Sequence, residues 1–412
     1  MDLALTDEQA MIRDAAADVL AERSASADVR RAIEQSAGRD DALWTTLAGE
    51  LGWNALALPE AAGGMGLGAV EQTLLMEQLG RRVACVPYFS TACLAATALA
   101  GCDTPLATGW LAKIAEGACS ATLALPFEFP AGIGQLPVVA EEAAGGYALS
   151  GTIEQVIDGA CADPLLIPAR IANEGQAIGL FAIDVATAAG LSVTPHDTLD
   201  ATRPIARIVL DDTRASRDAL FACGAVAAQV LERAGWFAAL ALAAEQLGGA
   251  QQCLDLTLDY TAQRVQFGRA IASFQAVKHR CAQMMVLIES ARSAVLGAAH
   301  AWDAEAGSGA PSAALRADIA AAKAAANDAA SFCAQEAIQL HGGVGFTWEY
   351  DPHLYFKRAQ ASGAQFGTTP QLLEWIARHA IDGGTSRCDE SLVSSQASVT
   401  KRASAARAGV LQ

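Results

Sequence analysis

Three long alanine-rich runs dominate the second half of the chain: "QVLERAGWFAALALAAEQLGGAQQCLDLTLDYTAQR" at 229–264, "VKHRCAQMMVLIESARSAVLGAAHAWDAE" at 277–305 and "AALRADIAAAKAAANDAASFCAQEAIQLH" at 313–341. Each is long enough for a bundle helix, and the small residues let neighbouring helices approach closely. A helix bundle is therefore expected from about 220 to 383. The segment "FAALALAAEQLGGA" is interrupted by Glu245 and Gln246 and falls short of the roughly 18–20 apolar residues that cross a bilayer, so it reads as a buried helix. Apolar residues make up 52% of the 412 and charged residues 18%. That balance demands burial in a large fold or between subunits, so oligomerisation is expected, and the length suits two or three domains.

Upstream the texture differs. "LTDEQAMIRDAAADVLAER" sets Thr6 and Gln9 at capping-box spacing ahead of an apolar helical repeat, and helical patterns continue to about 118. The Gly-rich "LPEAAGGMGLGAVE" at 58–71 leads into a helix. It has neither a preceding strand nor the Lys-Ser/Thr ending of a phosphate loop, so phosphate is not expected there. From 119 to 215, short runs such as "YALSG", "DPLLIPARI", "AIGLFAIDV" and "RPIARIVLDD" alternate with Gly, Asn or Asp clusters and indicate a β domain. Beyond Gly383 the Ser- and Ala-rich tail, 384–412, has too few large hydrophobes to offset its ordering entropy and reads as a flexible appendage. The expected fold class is α+β: an N-terminal helical domain (1–118), a middle β domain (119–215) and a C-terminal helical bundle (220–383).

The formal charge of −17 repels nucleic acid and anionic membranes, and excludes both as partners. Ten cysteines lie scattered from Cys85 to Cys388 without paired spacing or adjacent His, which suits free thiols in a reducing compartment and gives no metal site. The N-terminus lacks a basic region followed by an apolar core, so the expected compartment is the cytoplasm.

Against that acidic background "RVQFGRAIASFQAVKH", 264–279, is an anomaly. No Asp or Glu occurs between Tyr260 and Ile288, whereas Arg264, Arg269, Lys278, His279 and Arg280 do. The plain reading is a helix end, with Arg264 complementing the dipole and Gly268 in the C-cap conformation. A second glycine-rich site, "QLHGGVGFTWEYDPHLYFKR" at 339–358, places Gly342, Gly343 and Gly345 just after a long helix, where bare backbone can approach a ligand. Two such sites suit one extended anion.

These residues carry a resemblance. Arg264-x-x-Phe267-Gly268, Phe274-Gln275 and Gln339-x-x-Gly342-Gly343-x-Gly345-Phe346, with the helical, β and helical order, resemble the acyl-CoA dehydrogenase family over about residues 3–380. The resemblance implies a middle β-barrel domain, FAD held between the middle and C-terminal domains, and an acyl-CoA thioester as substrate. It also implies that Arg264, Phe267, Gln275, Gln339, Gly342 and Gly343 meet the pyrophosphate and adenine end of a flavin bound mainly by a neighbouring subunit. A guanidinium that forks onto phosphate and an aromatic face that packs adenine suit that task. The resemblance further implies an electron-transferring flavoprotein as acceptor.

Several positions depart from the family. The reaction needs a carboxylate within reach of the substrate α-proton, and the Glu-Gly-Thr triplet that supplies it reads Phe366-Gly367-Thr368 here. The alternative helix position falls on Ala238. Glu245 lies two turns further along the same face, about 10 Å away along the axis, where it can be read as a substitute base or as a paired helix carboxylate. Gly151 and Ala162-Asp163 hold the middle-domain register, but Gln155 stands at the ring-flanking Trp and Ile157 at the hydroxyl. "FEFPAGIG" keeps Pro130, Ala131 and Gly132 without the hydroxyl. No catalytic residue is assigned. The groups lost serve a subunit's own flavin ring, and those kept serve its neighbour's. The expected arrangement is one half of a heteromeric dimer or tetramer, as for steroid side-chain thioesters, whose partner supplies the Glu. The alternatives are a homomeric enzyme with a relocated base and a non-catalytic scaffold. Trp348, Tyr350, His353 and Tyr355 are read as a domain-junction cluster before an acyl pocket, and His341 as structural. Lys278, His279 and Arg280 are read as surface groups that support the phosphate end or meet a partner.

Overall fold

The computed structural model describes residues 3–127, 136–172, 177–305, 307 and 309–381. The tail after Gly383 and the loop with Pro130, Ala131 and Gly132 lie outside these residues. The first segment is helical: α1 (Asp7–Arg23), α2 (Ser26–Ser36), α3 (Asp41–Trp44), α4 (Ala69–Arg81), α5 (Ala96–Ala100) and α6 (Pro105–Ala115). A wider-wound turn, Phe89–Ala95, runs directly into α5. The capping box at α1 forms as its spacing predicts, with Gln9 N donating to Thr6 Oγ1 at 3.2 Å and Thr6 N donating to Gln9 Oε1 at 3.0 Å. At the glycine-rich loop the first N–H groups of α4 are occupied by protein: Ala69 N and Val70 N donate to the Asp303 carboxylate at 2.6 and 3.1 Å. A carboxylate there complements the helix dipole and fills the place an outside anion would take.

The middle segment is one eight-stranded sheet: β1 (Thr122–Leu123), β2 (Val139–Ala143), β3 (Gly146–Ile157), β4 (Pro164–Ile171), β5 (Ile178–Asp184), β6 (Leu191–Pro195), β7 (Ile205–Ser216) and β8 (Leu220–Cys223). The hydrogen-bonded order is β6-β7-β3-β2-β4-β5-β8, with β1 added in parallel to β4. Among the described residues this path runs edge to edge without closing into the barrel that the resemblance implies. Alternation along β7 turns Ala206, Ile208 and Leu210 inward, where they join Leu149, Ile167 and Phe181 in a core separate from the helical one.

The last segment holds α7 (Gly224–Gln263), a hairpin of β9 (Val265–Gln266) and β10 (Arg269–Ala270), α8 (Gln275–Ala304), α9 (Ala313–His341), α10 (Pro352–Gly363) and α11 (Thr369–Ile381). By length and hydropathy, α7 could cross a membrane, but it is the central helix of the bundle, buried continuously from Trp236 to Gly248. It crosses α4 so closely that a Cβ on Gly248 would sit 1.9 Å from Glu77 O, and one on Gly80 would sit 2.0 Å from Glu245 O. Only glycine at both positions permits this approach. The nine described cysteines are free thiols. Burial pushes Cys85 up to about 12, whereas Cys223 is exposed.

Candidate functional site

The basic stretch begins where α7 ends. Arg264 is the C-cap residue, its N–H donating to Tyr260 O at 2.9 Å. The chain then turns back through the β9–β10 hairpin, whose two tip residues, Phe267 and Gly268, have φ of +54° and +76°. Positive φ at both central residues is the signature of a twisted two-residue hairpin turn. Gly268 therefore adopts the left-handed conformation expected of it, but in a hairpin and not as a helix cap. Phe267 is 90% exposed at the tip, with its ring edge-on to Phe274 at 6.1 Å, and the Arg269 guanidinium lies 4.1 Å from the centre of the Phe274 ring. Gln275 opens α8 on the exposed side.

The second glycine site is carried to the same end of the bundle. Tyr260, one turn before Arg264, stacks on His341 at 4.4 Å, and His341 is the last residue of α9, directly before Gly342. His341 is buried and its Nδ1 lies 2.6 Å from Ala337 O, so it joins the two motifs by packing. Burial lowers its pKa. Gln339, Gly342 and Gly343 are exposed. Gly342 has φ +65°, and a Cβ on either glycine would meet nothing within 4 Å. Gly345 differs: a Cβ there would lie 2.8 Å from Ile338 O, so it serves packing. All six residues singled out in the sequence are exposed at this end of the bundle, and no ion pair of Arg264 occurs among the described residues.

The inward side is closed. Phe366, at the position of the family's carboxylate, is 1% exposed with φ +53°. Its ring packs against Phe89 at 6.0 Å and Phe127 at 6.3 Å, and its N–H donates to Phe127 O. Ala238 is fully buried in α7. Glu245 is 3% exposed, and both carboxylate oxygens are taken: Arg203 grips them in a fork, and Arg358 Nη1 donates to Oε1 at 2.8 Å. Arg358 continues to Asp200 Oδ2 at 2.7 Å and to the Thr202 hydroxyl. The Arg203 guanidinium also covers the Phe89 ring at 4.9 Å. Both carboxylate oxygens of Glu245 are engaged by buried guanidiniums, so of the two readings of Glu245 the geometry supports the paired carboxylate. Arg203 and Arg358 were not anticipated from sequence, because only tertiary packing brings them together.

Beside this network, Lys323 is fully buried and donates to Asn327 Oδ1 at 2.6 Å, Ser362 O at 3.1 Å and Gln246 Oε1 at 3.3 Å. Asn327 in turn donates to Gly367 O at 3.2 Å, which fixes the 366–368 turn. Outside the turn lies a cavity of about 360 Å³ between the sheet and α10–α11, bordered by Phe127, Gln155, Ile205, Gln365 and Thr368. Ile157, at the hydroxyl position, is buried beside Thr122, whose hydroxyl donates to Ile157 O.

The aromatic cluster joins domains. Tyr355 donates its hydroxyl to Arg81 O at 2.6 Å. Arg30 on α2 pairs with Asp351 and lies 5.7 Å from the centre of the Trp348 ring, which Lys357 flanks from α10 at 5.1 Å. His353 meets Trp348 edge-on at 4.8 Å. Lys278 and His279 are exposed, and Arg280 is 3.5 Å from Glu336.

The helical, sheet and helical order is the one that the resemblance to acyl-CoA dehydrogenases implies. Comparison with known proteins agrees. The acyl-CoA dehydrogenase N-terminal domain matches residues 6–118, and the acyl-CoA dehydrogenase C-terminal domain matches 230–381. The acyl-CoA dehydrogenase IpdE2 of Mycobacterium tuberculosis is 34% identical over 365 residues, covering 89% of this chain and 94% of that protein. The ChsE4–ChsE5 complex from Mycobacterium tuberculosis superposes with a TM-score of 0.82 at 29% identity, covering 92% of this chain and 99% of the matched one. The Tcur3481–Tcur3483 steroid ACAD gives 0.80 at 30% identity, covering 92% and 99%. The chain belongs to the acyl-CoA dehydrogenase family.

Proposed function

We propose that this chain is the base-deficient subunit of a heteromeric, FAD-dependent acyl-CoA dehydrogenase of the cytoplasm, whose partner subunit supplies the catalytic Glu. The carrying observation is the contrast between its two sides. Phe366 is sealed under Phe89 and Phe127 where a base would stand, and Glu245 is held by two guanidiniums, yet Arg264, Phe267, Gln275, Gln339, Gly342 and Gly343 remain exposed on one edge. The fit to FAD rests on that edge: Arg264 offers a forked donor to the diphosphate, Phe267 a free aromatic face for adenine, and Gly342–Gly343 a backbone without side chains in the way. When bound, FAD supplies the acceptor for the hydride from the substrate β-carbon. This chain's residues hold the nucleotide end in register and exclude water along the shared face.

The reaction is α,β-dehydrogenation of an acyl-CoA thioester. The names ChsE4–ChsE5 complex and steroid ACAD, borne by similar structures, support a two-chain assembly and a bulky steroid-derived acyl group. Electrons would pass to an electron-transferring flavoprotein. The deciding experiment expresses the chain alone and together with a neighbouring dehydrogenase-like gene product, then records the flavin spectrum and its bleaching by acyl-CoA. Flavin and bleaching are expected only on co-expression. A yellow, active protein from this chain alone would show the homomer, and no flavin in either preparation would show the scaffold.

A further inference from the structure

The first-domain helix α4 lines α8 along only part of its length. Ala69 N, at the start of α4, donates to Asp303 on α8 at 2.6 Å, and Glu77 pairs with Arg292. One turn later, at Arg81, α4 ends. Two turns beyond Arg292, toward the start of α8, Met285 and Val286 stand 58% and 64% exposed. Leu258 on α7, 47% exposed, joins them. Arg292 donates to Gln251 on α7 at 3.0 Å, and seven residues along each of these antiparallel helices bring Leu258 level with Met285. Large apolar side chains left open next to one another mark a surface that another molecule covers.

The charges around this patch identify the occupant. Lys278, Ala282, Met285 and Glu289 recur at intervals of four, three and four residues, so they form one stripe along α8. All four are exposed. Lys278 and Glu289 close the two ends of the stripe, about 16 Å apart along the axis, too far to pair within one chain. A second copy related by a two-fold axis brings them together. With the two α8 helices antiparallel, the register that sets Lys278 opposite Glu289 of the other copy also sets Met285 opposite Ala282, a long side chain against a single methyl group.

We propose that this face of α8 is an interface at which two copies of this chain pair about a two-fold axis. Met285, Val286 and Leu258 fill its centre, and Lys278 and Glu289 pair at its rim. Arg264, Phe267, Gly342 and Gly343 take no part in it, so the pairing does not depend on the dehydrogenase reading. In the complex it joins two heteromeric pairs into an assembly with two of each chain.

Sedimentation velocity of the purified chain, and of its complex with the partner, tests the pairing. The chain alone is expected as a dimer, and the complex as two copies of each chain. Val286→Asp, at an exposed helix position, should raise the dimer dissociation constant by about 10- to 100-fold, because it sets a charge in the apolar contact. It should also halve the mass of the complex and leave its flavin content per chain unchanged. Glu289→Lys makes each Lys278 face a lysine and should weaken the dimer by about 3- to 10-fold, and adding Lys278→Glu should restore the parent value. A monomeric parent chain, a mass unmoved by Val286→Asp, or a double variant no tighter than Glu289→Lys would each overturn the proposal. Val286→Asp that blocks association with the partner chain, or strips flavin from the complex, would overturn it as well and give this face to the partner.

Discussion

Glu245 and Lys323 are buried ionisable side chains in one polar layer, and they make opposite demands on the fold. Glu245 neutralises two guanidiniums that have no access to water. Replacing it with Gln removes the carboxylate that Arg203 and Arg358 share, so Glu245→Gln should lose about 3–5 kcal/mol in urea unfolding. Turnover per folded complex should be unaffected, and lost turnover at full stability would instead identify Glu245 as the base. Lys323 is held by neutral oxygens of Gln246, Asn327 and Ser362. Burial lowers its pKa from 10.5 to about 7, against the pull of Glu245 upward. Between those two values the unfolded chain binds a proton that the folded chain has released, so stability rises with pH across the window and is lowest below about 7. Lys323→Met should remove that slope. From pH 6.5 through 8 to 9.5 the urea midpoint of the parent should rise relative to that of Lys323→Met, and parallel curves would show that the amine does not titrate there.

At the scale of elements, legibility followed locality. The spans of α7, α8 and α9 were readable because thirty or so residues of one periodic texture leave few alternatives, and the α1 cap because Thr6 and Gln9 interact across a single turn. The strand order was not readable: β2 lies between β3 and β4, and β7 beside β3, through contacts that no local pattern encodes. Phe267 and Gly268 mark the boundary between the two cases. Their left-handed conformation was inferable from Gly268, yet a helix cap and a hairpin tip need the same φ, and only the pairing of Arg269 with Gln266 distinguishes them. The candidate outer edge was legible as residue types, whereas the Arg203–Glu245–Arg358 network was not, since its members come from three distant segments. The α4–α7 crossing offers a test at this scale. Gly248→Ala would drive a methyl group into the Glu77 carbonyl and should cost about 3 kcal/mol or more, at the upper end of overpacking. Gly297→Ala on α8, where a Cβ meets nothing within 4 Å, should instead stabilise by about 1 kcal/mol through helix propensity. Thermal unfolding of both variants checks the contrast.

For the whole molecule, the proposed reading has the two sides of the chain divide the work of one site. In an acidic protein of charge −17, Arg264, Arg269, Lys278 and His279 are exposed on a stretch with no Asp or Glu between Tyr260 and Ile288, a local positive patch that suits an anion. On the proposed reading, that anion is the diphosphate of a flavin held by the neighbouring subunit. If so, the edge should act on nucleotide retention and not on the chemical step. Arg264→Ala in the assembled complex should weaken FAD binding by about 10- to 100-fold, the worth of charge-assisted hydrogen bonds to phosphate. It should also flatten the dependence of FAD dissociation on ionic strength, because one screened contact is gone. With FAD in excess, kcat should recover to the level of the parent complex. Measuring flavin release by fluorescence at low and high salt separates this outcome from general destabilisation, which would lower retention equally at both. Retention unchanged by the substitution would remove Arg264 from the nucleotide site and leave the basic edge to bind the partner's protein surface alone.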